Sequence, residues 1–139
     1  MTKEVLVSLV GSQVSGGEKD NIELVTVANY YKRNGHHYVL FDEYMEEDER
    51  VVKNTLRFDD SFFEMIKRGG MSAQLFFRPN ESQFSVYSTP AGPLNIETTT
   101  TEYTLQVEER KIEVYIRYQL DINYTYSTEN EIYMRVEAK

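Results

Sequence analysis

The segment Lys111–Asn123, KIEVYIRYQLDIN, decides the fold class, because its apolar and polar residues alternate along its length. Successive side chains of a β-strand point to opposite faces, so a period of two predicts a strand with one buried and one solvated face. The apolar face carries one polar exception, Tyr118. Residues 131–137, EIYMRVE, repeat the alternation. We therefore predict two long antiparallel strands joined near the segment NYTYSTEN.

A run of four threonines interrupts a second alternating segment, LNIETTTTEYTLQV. Leu94 and Ile96 place even-numbered residues on the apolar face. Tyr103 and Leu105 place odd-numbered residues there. A continuous strand changes phase only at a bulge or a sharp bend, so we predict one within Thr98–Glu102. Threonine tolerates both faces of such a corner, and we favour this bent strand over the alternative, a site lined by four hydroxyls.

The remaining segments complete an all-β pattern. TKEVLVSLVGSQ and HYVLFDEYM read as strands, and QLFFRPN and QFSVYST flank a predicted hairpin turn at Pro79-Asn80. DNIELVTVANYYKRNG and DDSFFEMIKRGG carry both helix and strand signals, so the sequence leaves their structure open. Eight to ten strands with short connections and at most one helix predict a closed antiparallel β-barrel. We expect residues 1–139 to form a single domain.

Composition narrows the function classes. The 139 residues include 15 basic and 23 acidic side chains, a formal net charge of −8, which disfavours nucleic acid and anionic membranes as partners. No run approaches the length of a membrane span, and the apolar patch at Val5–Val10 is too short for a signal peptide. The chain has no cysteine, which suits a reducing compartment. We therefore expect a cytoplasmic location.

Catalytic and metal-binding motifs are missing from the sequence. His36 and His37 are the only histidines. Because adjacent residues of a strand point to opposite faces, they are poorly placed to share a metal ion. No GxSxG elbow, P-loop or dinucleotide-binding glycine motif is present. We therefore predict neither a metal nor a cofactor.

Four polar residues are candidate ligand contacts, because they fall on predicted inner faces or beside a turn. They are Glu43, Arg68, Tyr87 and Tyr118. A buried carboxylate needs a cation, and Arg68 is the natural partner of Glu43. The functional interpretation is a polar anchor that grips a ligand's carboxylate, phosphate or hydroxyl inside the barrel. The structural interpretation, which we weigh slightly higher, is an ion pair that plugs a barrel filled by the eleven tyrosines and seven phenylalanines.

The order of six short motifs resembles that of one known family. IELVTVANYY, YVLFDEY, IKRGG, YSTPAGPL, YQLDIN and ENEI follow one another as in the YwiB-like proteins, mainly of Gram-positive bacteria. That family is a domain of unknown function with a lipocalin-like (calycin) barrel. The resemblance implies that FFEMIKRG is a strand, and it carries over no catalytic or ligand residue. The chain departs from the family in its TP-x-G turn, where Ala91 replaces an aromatic residue.

Three functional hypotheses follow. The first is a binding protein whose barrel holds a small apolar or amphipathic ligand through the four candidate contacts. The second is a structural or interaction module, acting through its surface or as a homodimer, with a patch of outward tyrosines, namely Tyr115, Tyr124, Tyr126 and Tyr133. The third and weakest is a cofactor-free isomerase or hydrolase with Glu43 as its base, because no nucleophile or oxyanion-binding device is readable.

Overall fold

The computed structural model describes residues 3–15, 17–45, 50–69 and 72–139, and its regular elements are all β-strands. The ten strands are β1 Glu4–Ser15, β2 Glu18–Arg33, β3 His36–Met45, β4 Arg50–Phe58, β5 Phe63–Arg68, β6 Ser72–Phe77, β7 Ser82–Thr89, β8 Gly92–Val107, β9 Lys111–Ile122 and β10 Tyr126–Ala138. No helix in these ranges is long and apolar enough to cross a membrane.

The strands form a closed antiparallel barrel in which each pairs with its neighbours in the chain and β1 closes onto β10. The predicted all-β barrel of eight to ten strands is therefore confirmed. Both segments that the sequence left open are strands, β2 and β5. For β5 this is the structure that the family resemblance implied.

The predicted phase change in β8 is confirmed as a β-bulge. Thr100 pairs with Tyr118, and the next pair is Glu102 with Arg117, which leaves Thr101 as the extra residue. The Thr101 hydroxyl donates a hydrogen bond to the Arg117 carbonyl over 3.1 Å. The bulge therefore keeps the apolar residues on both sides of the threonine run on the inner face of the barrel.

The other threonine hydroxyls have different surroundings. Thr98 and Thr100 point inward and are buried. The Thr98 hydroxyl donates to the Phe76 carbonyl of β6 over 3.3 Å, and the hydroxyls of Thr99 and Ser82 lie 2.9 Å apart on the outside. The threonine run is thus chiefly a strand corner, and two of its hydroxyls face the interior.

A row of inward-facing rings runs along the inner face of the barrel from strand to strand. Neighbouring ring centroids lie 5.1 Å apart for His37 and Phe58, 5.4 Å for Phe58 and Phe63, 6.2 Å for Phe63 and Phe77, and 4.6 Å for Phe77 and Tyr118. We call these five residues the aromatic row. It packs within a larger core of buried residues that includes Val5, Val7, Val39, Leu56, Ile112, Val114, Ile116, Met134 and Val136. Apolar side chains thus fill one half of the barrel.

The two histidines point to opposite faces, as their adjacency predicts. His37 is buried, and its Nδ1 lies 2.7 Å from the Tyr30 hydroxyl. Burial, followed by the charge of Lys32, lowers the pKa of His37. His36 faces outward, and its Nε2 lies 3.2 Å from the Asp59 carboxylate.

The strand pairing is incomplete at two places in the wall. β2 pairs with β3 only between Asn29–Arg33 and His36–Leu40, so the two strands separate beyond this short ladder. β6 and β7 pair only at Ser72 and Ser88. The turn predicted at Pro79-Asn80 does join two strands, but within the described chain these strands form almost no hairpin ladder.

We predict that deleting one of the four threonines preserves the fold. Because the bulge contributes the extra residue, the shortened strand regains regular alternation with both of its apolar faces still inward. We expect a loss of about 1–2 kcal/mol in the free energy of unfolding, from lost curvature and the lost Thr101 hydrogen bond. Deleting Thr104 is the matched control, since it removes one residue beyond the bulge and turns either Tyr103 or Leu105 outward. Denaturant unfolding that gave equal losses for the two deletions would contradict this account of the bulge.

Candidate functional site

The inner wall changes from apolar to polar beyond the aromatic row. The alternation and register of the strands place a set of polar side chains on the inner face, and we call the space that they line the polar lumen. The set comprises Gln13, Glu43, Asn54, Lys67, Tyr87, Thr98, Thr100, Tyr118, Thr128 and Asn130. Tyr118 belongs both to this set and to the aromatic row, so the polar wall and the apolar core meet at its ring.

The polar lumen contains space that no side chain of the described residues fills. Gly11 lies on the inner face of β1, between Leu9 and Gln13, and a Cβ atom added to it would meet no atom within 4 Å. Its cross-strand partner Ile22 lies on the inner face of β2 and is nevertheless 74% exposed. The lumen is therefore open to solvent near these two residues.

An ion pair lies on the wall of the polar lumen. Lys67 Nζ donates to Glu43 Oε1 over 3.1 Å, and their side chains are 24% and 30% exposed. Asn54 lies between the two in the sheet, since it pairs with Phe41 on β3 and with Lys67 on β5. Its Nδ2 donates to the same Glu43 oxygen over 3.4 Å. Register across three strands therefore assembles this polar group.

The sequence predicted the ion pair with the wrong cation. Arg68 is exposed and lies on the outer face of β5, where it pairs with Lys53 of β4. Phe63 and Met65 point into the core, so Lys67 is the next inward residue of this strand. The expected contact between Glu43 and Arg68 is therefore corrected to Glu43 and Lys67.

Both predicted tyrosines lie on the inner wall. Burial raises the pKa of Tyr118 to about 12. Burial, followed by the negative charge of Glu43, raises the pKa of Tyr87, so this phenol lies close enough to the carboxylate to experience its charge. Of the four candidate residues, the structure brings Glu43, Tyr87 and Tyr118 to the lumen wall and leaves Arg68 outside.

A cleft of about 510 Å³ occupies the gap where β2 and β3 separate. Its apolar lining includes Val27, Ala28, Leu40 and Phe41, and Asn54 lines it from β4. Asn54 is 2% exposed, and its Oδ1 receives no hydrogen bond within the described chain. The cleft thus reaches the inner wall at a buried polar atom.

Lys67 and Asn54 are wall residues that the sequence did not single out. Both carry the signal of a polar residue on an apolar face of alternating strands, FEMIK for Lys67 and VVKNTLRF for Asn54. The arrangement suits the binding of a polar group beside apolar surface. No group of three or more histidine or acidic side chains able to hold a metal ion occurs in the described ranges.

We predict that Lys67→Met lowers the free energy of unfolding by about 1–2 kcal/mol, because the half-buried carboxylate then keeps only Asn54 as a donor among the described residues. Adding Glu43→Gln should recover part of this loss, since the neutral amide needs no cation. Lys53→Met is the control, because Lys53 lies 4.0 Å from Asp42 and both side chains are mostly exposed. Denaturant unfolding of Lys67→Met, Glu43→Gln, the double variant and the control measures the coupling between Lys67 and Glu43. Strictly additive losses of stability would show that their contact contributes nothing to the free energy of unfolding.

Comparisons with known proteins agree with this architecture. The family model described as "Domain of unknown function (DUF1934)" matches residues 7–134. The crystal structure of the ywiB protein from Bacillus subtilis superimposes with a TM-score of 0.86, at 18% sequence identity, over 99% of this chain and 92% of that chain. No curated protein matches the chain. The family model covers nearly all of the barrel strands. The chain therefore belongs to the DUF1934 family, the family of YwiB-like proteins.

Proposed function

We propose that the chain is a binding protein that holds a small amphipathic ligand in its polar lumen. The observation that carries this proposal is the unfilled inner wall at Gly11, where an added Cβ atom would meet nothing within 4 Å. A barrel that served only as a packed scaffold would gain stability by filling such a position, because buried apolar contacts and strand propensity both favour a larger side chain there.

The chemistry of the two halves matches an amphipathic molecule. Tyr118 is the one member of the aromatic row that is partly exposed, and its ring offers a surface for an apolar group. The Glu43–Lys67 pair and the Tyr87 phenol offer polar contacts beside it. Ligand sites commonly combine apolar walls with a few convergent polar groups. Arg68 has no place in this proposal, because its side chain lies on the outer surface.

We also propose a cytoplasmic location, which the lack of cysteine supports. The enzymatic hypothesis gains no support. Glu43 Oε1 accepts from both Lys67 and Asn54, which suits a polar anchor on the lumen wall.

Filling the lumen tests the binding proposal. We expect Gly11→Phe to leave the barrel folded and to weaken binding of the neutral fluorescent probe Nile red by about tenfold, because the new ring occupies the space that the probe would take. Fluorescence titration measures the affinity, and thermal unfolding checks the fold. Native mass spectrometry of gently purified wild-type protein should show an added mass that Gly11→Phe lacks.

Ser8→Phe is the matched control, because Ser8 lies on the same strand and faces outward. This variant should bind Nile red as the wild-type protein does. Equal binding by Gly11→Phe and wild type, with both proteins folded, would reject the lumen as the binding site.

A second candidate function is self-association through the outer wall. Phe84, Val86 and Tyr124 are 66%, 53% and 77% exposed and line a groove of about 170 Å³, with Glu97 and Asp121 beside it. Contiguous exposed apolar surface is typical of protein interfaces. This patch shares one residue, Tyr124, with the predicted tyrosine patch.

The other predicted interface tyrosines give less support. Tyr133 is 40% exposed, and its hydroxyl donates to Glu113 Oε2 over 2.9 Å. Tyr115 is half-buried, and the side chain of Tyr126 lies outside what the structure describes. The proposed interface is therefore centred on Phe84 and Tyr124.

If the outer patch mediates self-association, a homodimer should dissociate on dilution, and the double variant Phe84→Ser/Tyr124→Ser should be monomeric at concentrations where wild type is dimeric. Sedimentation equilibrium measures both. Tyr44→Ser is the control, because Tyr44 is 62% exposed and lies on another strand of the barrel. A wild-type protein that stays monomeric at the highest soluble concentration would reject self-association.

A further inference from the structure

Asn54 has one amide atom that receives no hydrogen bond from any residue that the structure describes. Its Nδ2 donates to the Val52 carbonyl over 3.3 Å and to Glu43 Oε1 over 3.4 Å. Exchanging the amide nitrogen and oxygen would bring Oδ1 against these two acceptors, so the partners fix the orientation of the amide. The unpartnered atom is therefore the acceptor, Oδ1.

Because Asn54 lines the cleft, its acceptor is a candidate hydrogen-bonding partner for a ligand. The residue is 2% exposed, yet it lines the cleft between β2 and β3. A buried acceptor without a donor is unfavourable, and a group that brings an N–H or O–H to it removes that penalty. The cleft therefore selects for a hydrogen-bond donor at its inner end.

The charges around the cleft favour a cationic donor over an anion. Lys67 lies 3.1 Å from Glu43, and Lys53 lies 4.0 Å from Asp42, so a bound anion would compete with a carboxylate for either lysine. The whole chain carries a formal charge of −8, which attracts cations. An ammonium group carries donors and no acceptor, so it can donate to Asn54 Oδ1, whereas a carboxylate would place a second acceptor against it.

The apolar lining of the cleft favours a hydrocarbon group for the rest of the ligand. Val27, Ala28, Leu40 and Phe41 line the cleft on either side of the gap. They provide surface for a short hydrocarbon chain beside the acceptor. The two features together describe an aliphatic primary amine.

We propose that the cleft between β2 and β3 binds the ammonium group of a small aliphatic amine, with Asn54 Oδ1 as its acceptor. This inference deepens the proposed function and rests on it, because it names the chemical class of the ligand and the side of the barrel that receives it. The hydrocarbon chain lies along the apolar lining of the gap, and the Glu43–Lys67 pair remains intact beside the bound group.

The experiment compares three probes of equal chain length, hexylamine, hexan-1-ol and hexanoate, at neutral pH by two-dimensional amide NMR. We expect hexylamine to bind about tenfold more tightly than hexanoate, since a hydrogen bond to a charged group contributes that much or more. The Asn54 side-chain amide and the backbone amides of Ala28 and Phe41 should shift. Hexanoate binding as tightly as hexylamine would overturn the proposal with the wild-type protein alone.

Asn54→Leu should weaken hexylamine binding about tenfold and leave hexanoate binding unchanged, because it removes the acceptor and keeps the volume. Asn21→Leu is the control, since Asn21 is an exposed amide on the outer face of β2, where its Oδ1 accepts from the Ser12 hydroxyl. Unchanged hexylamine binding by Asn54→Leu would overturn the proposal. If all three probes bind equally and Gly11→Phe still excludes Nile red, the amine inference fails while the proposed function stands.

Discussion

The aromatic row is the contact on which the arrangement of the interior depends. Three of its contacts join the consecutive strands β3 to β6 and support their register, and the Phe77–Tyr118 contact joins β6 to the distant strand β9. Register then determines every inward side chain, because a slip of one residue turns a whole strand over. The contacts of Phe58 with Phe63 and of Phe63 with Phe77 bring Lys67 to the Glu43 side of the wall and leave Arg68 outside.

Packing differs between the two halves of the barrel. Around the aromatic row the largest side chains are fully buried, and Tyr30 and His37 satisfy each other's polar atoms over 2.7 Å. In the polar lumen, as far as the chain is described, Gly11 faces empty space and the buried hydroxyl of Thr100 has no hydrogen-bond partner. Such local departures from dense packing and full hydrogen bonding are costly, and natural proteins keep them mainly at functional sites.

The sequence predicted the features that depend on local alternation. β9 and β10, the bulge at the threonine run and the opposed histidines all follow from a period of two. Other features depend on contacts between strands that no local pattern records. Whether Arg68 or Lys67 faces inward could be decided only from the pairing of β5 with β4. The six-residue strand FEMIKR carries apolar residues at both odd and even positions, so its sequence is compatible with either face pointing inward. The gap beyond Asn29 could be predicted only from the paths of β2 and β3 in space, and the alternation within either strand does not determine these paths.

An open gap between two strands leaves backbone groups exposed, and such an edge invites pairing with other chains. The part of β2 that does not pair with β3 runs from Glu18 to Ala28. Its charged residues, Glu18, Lys19, Asp20 and Glu23, accompany the exposed Val25 and Val27. Charges on an edge strand disfavour strand addition, and they therefore allow the gap to persist in a folded protein. A gap kept open in this way leaves a cleft beside Asn54 that a fully paired wall would close. The same separation of β2 from β3 that weakens the barrel locally is thus the feature that makes its inner wall accessible.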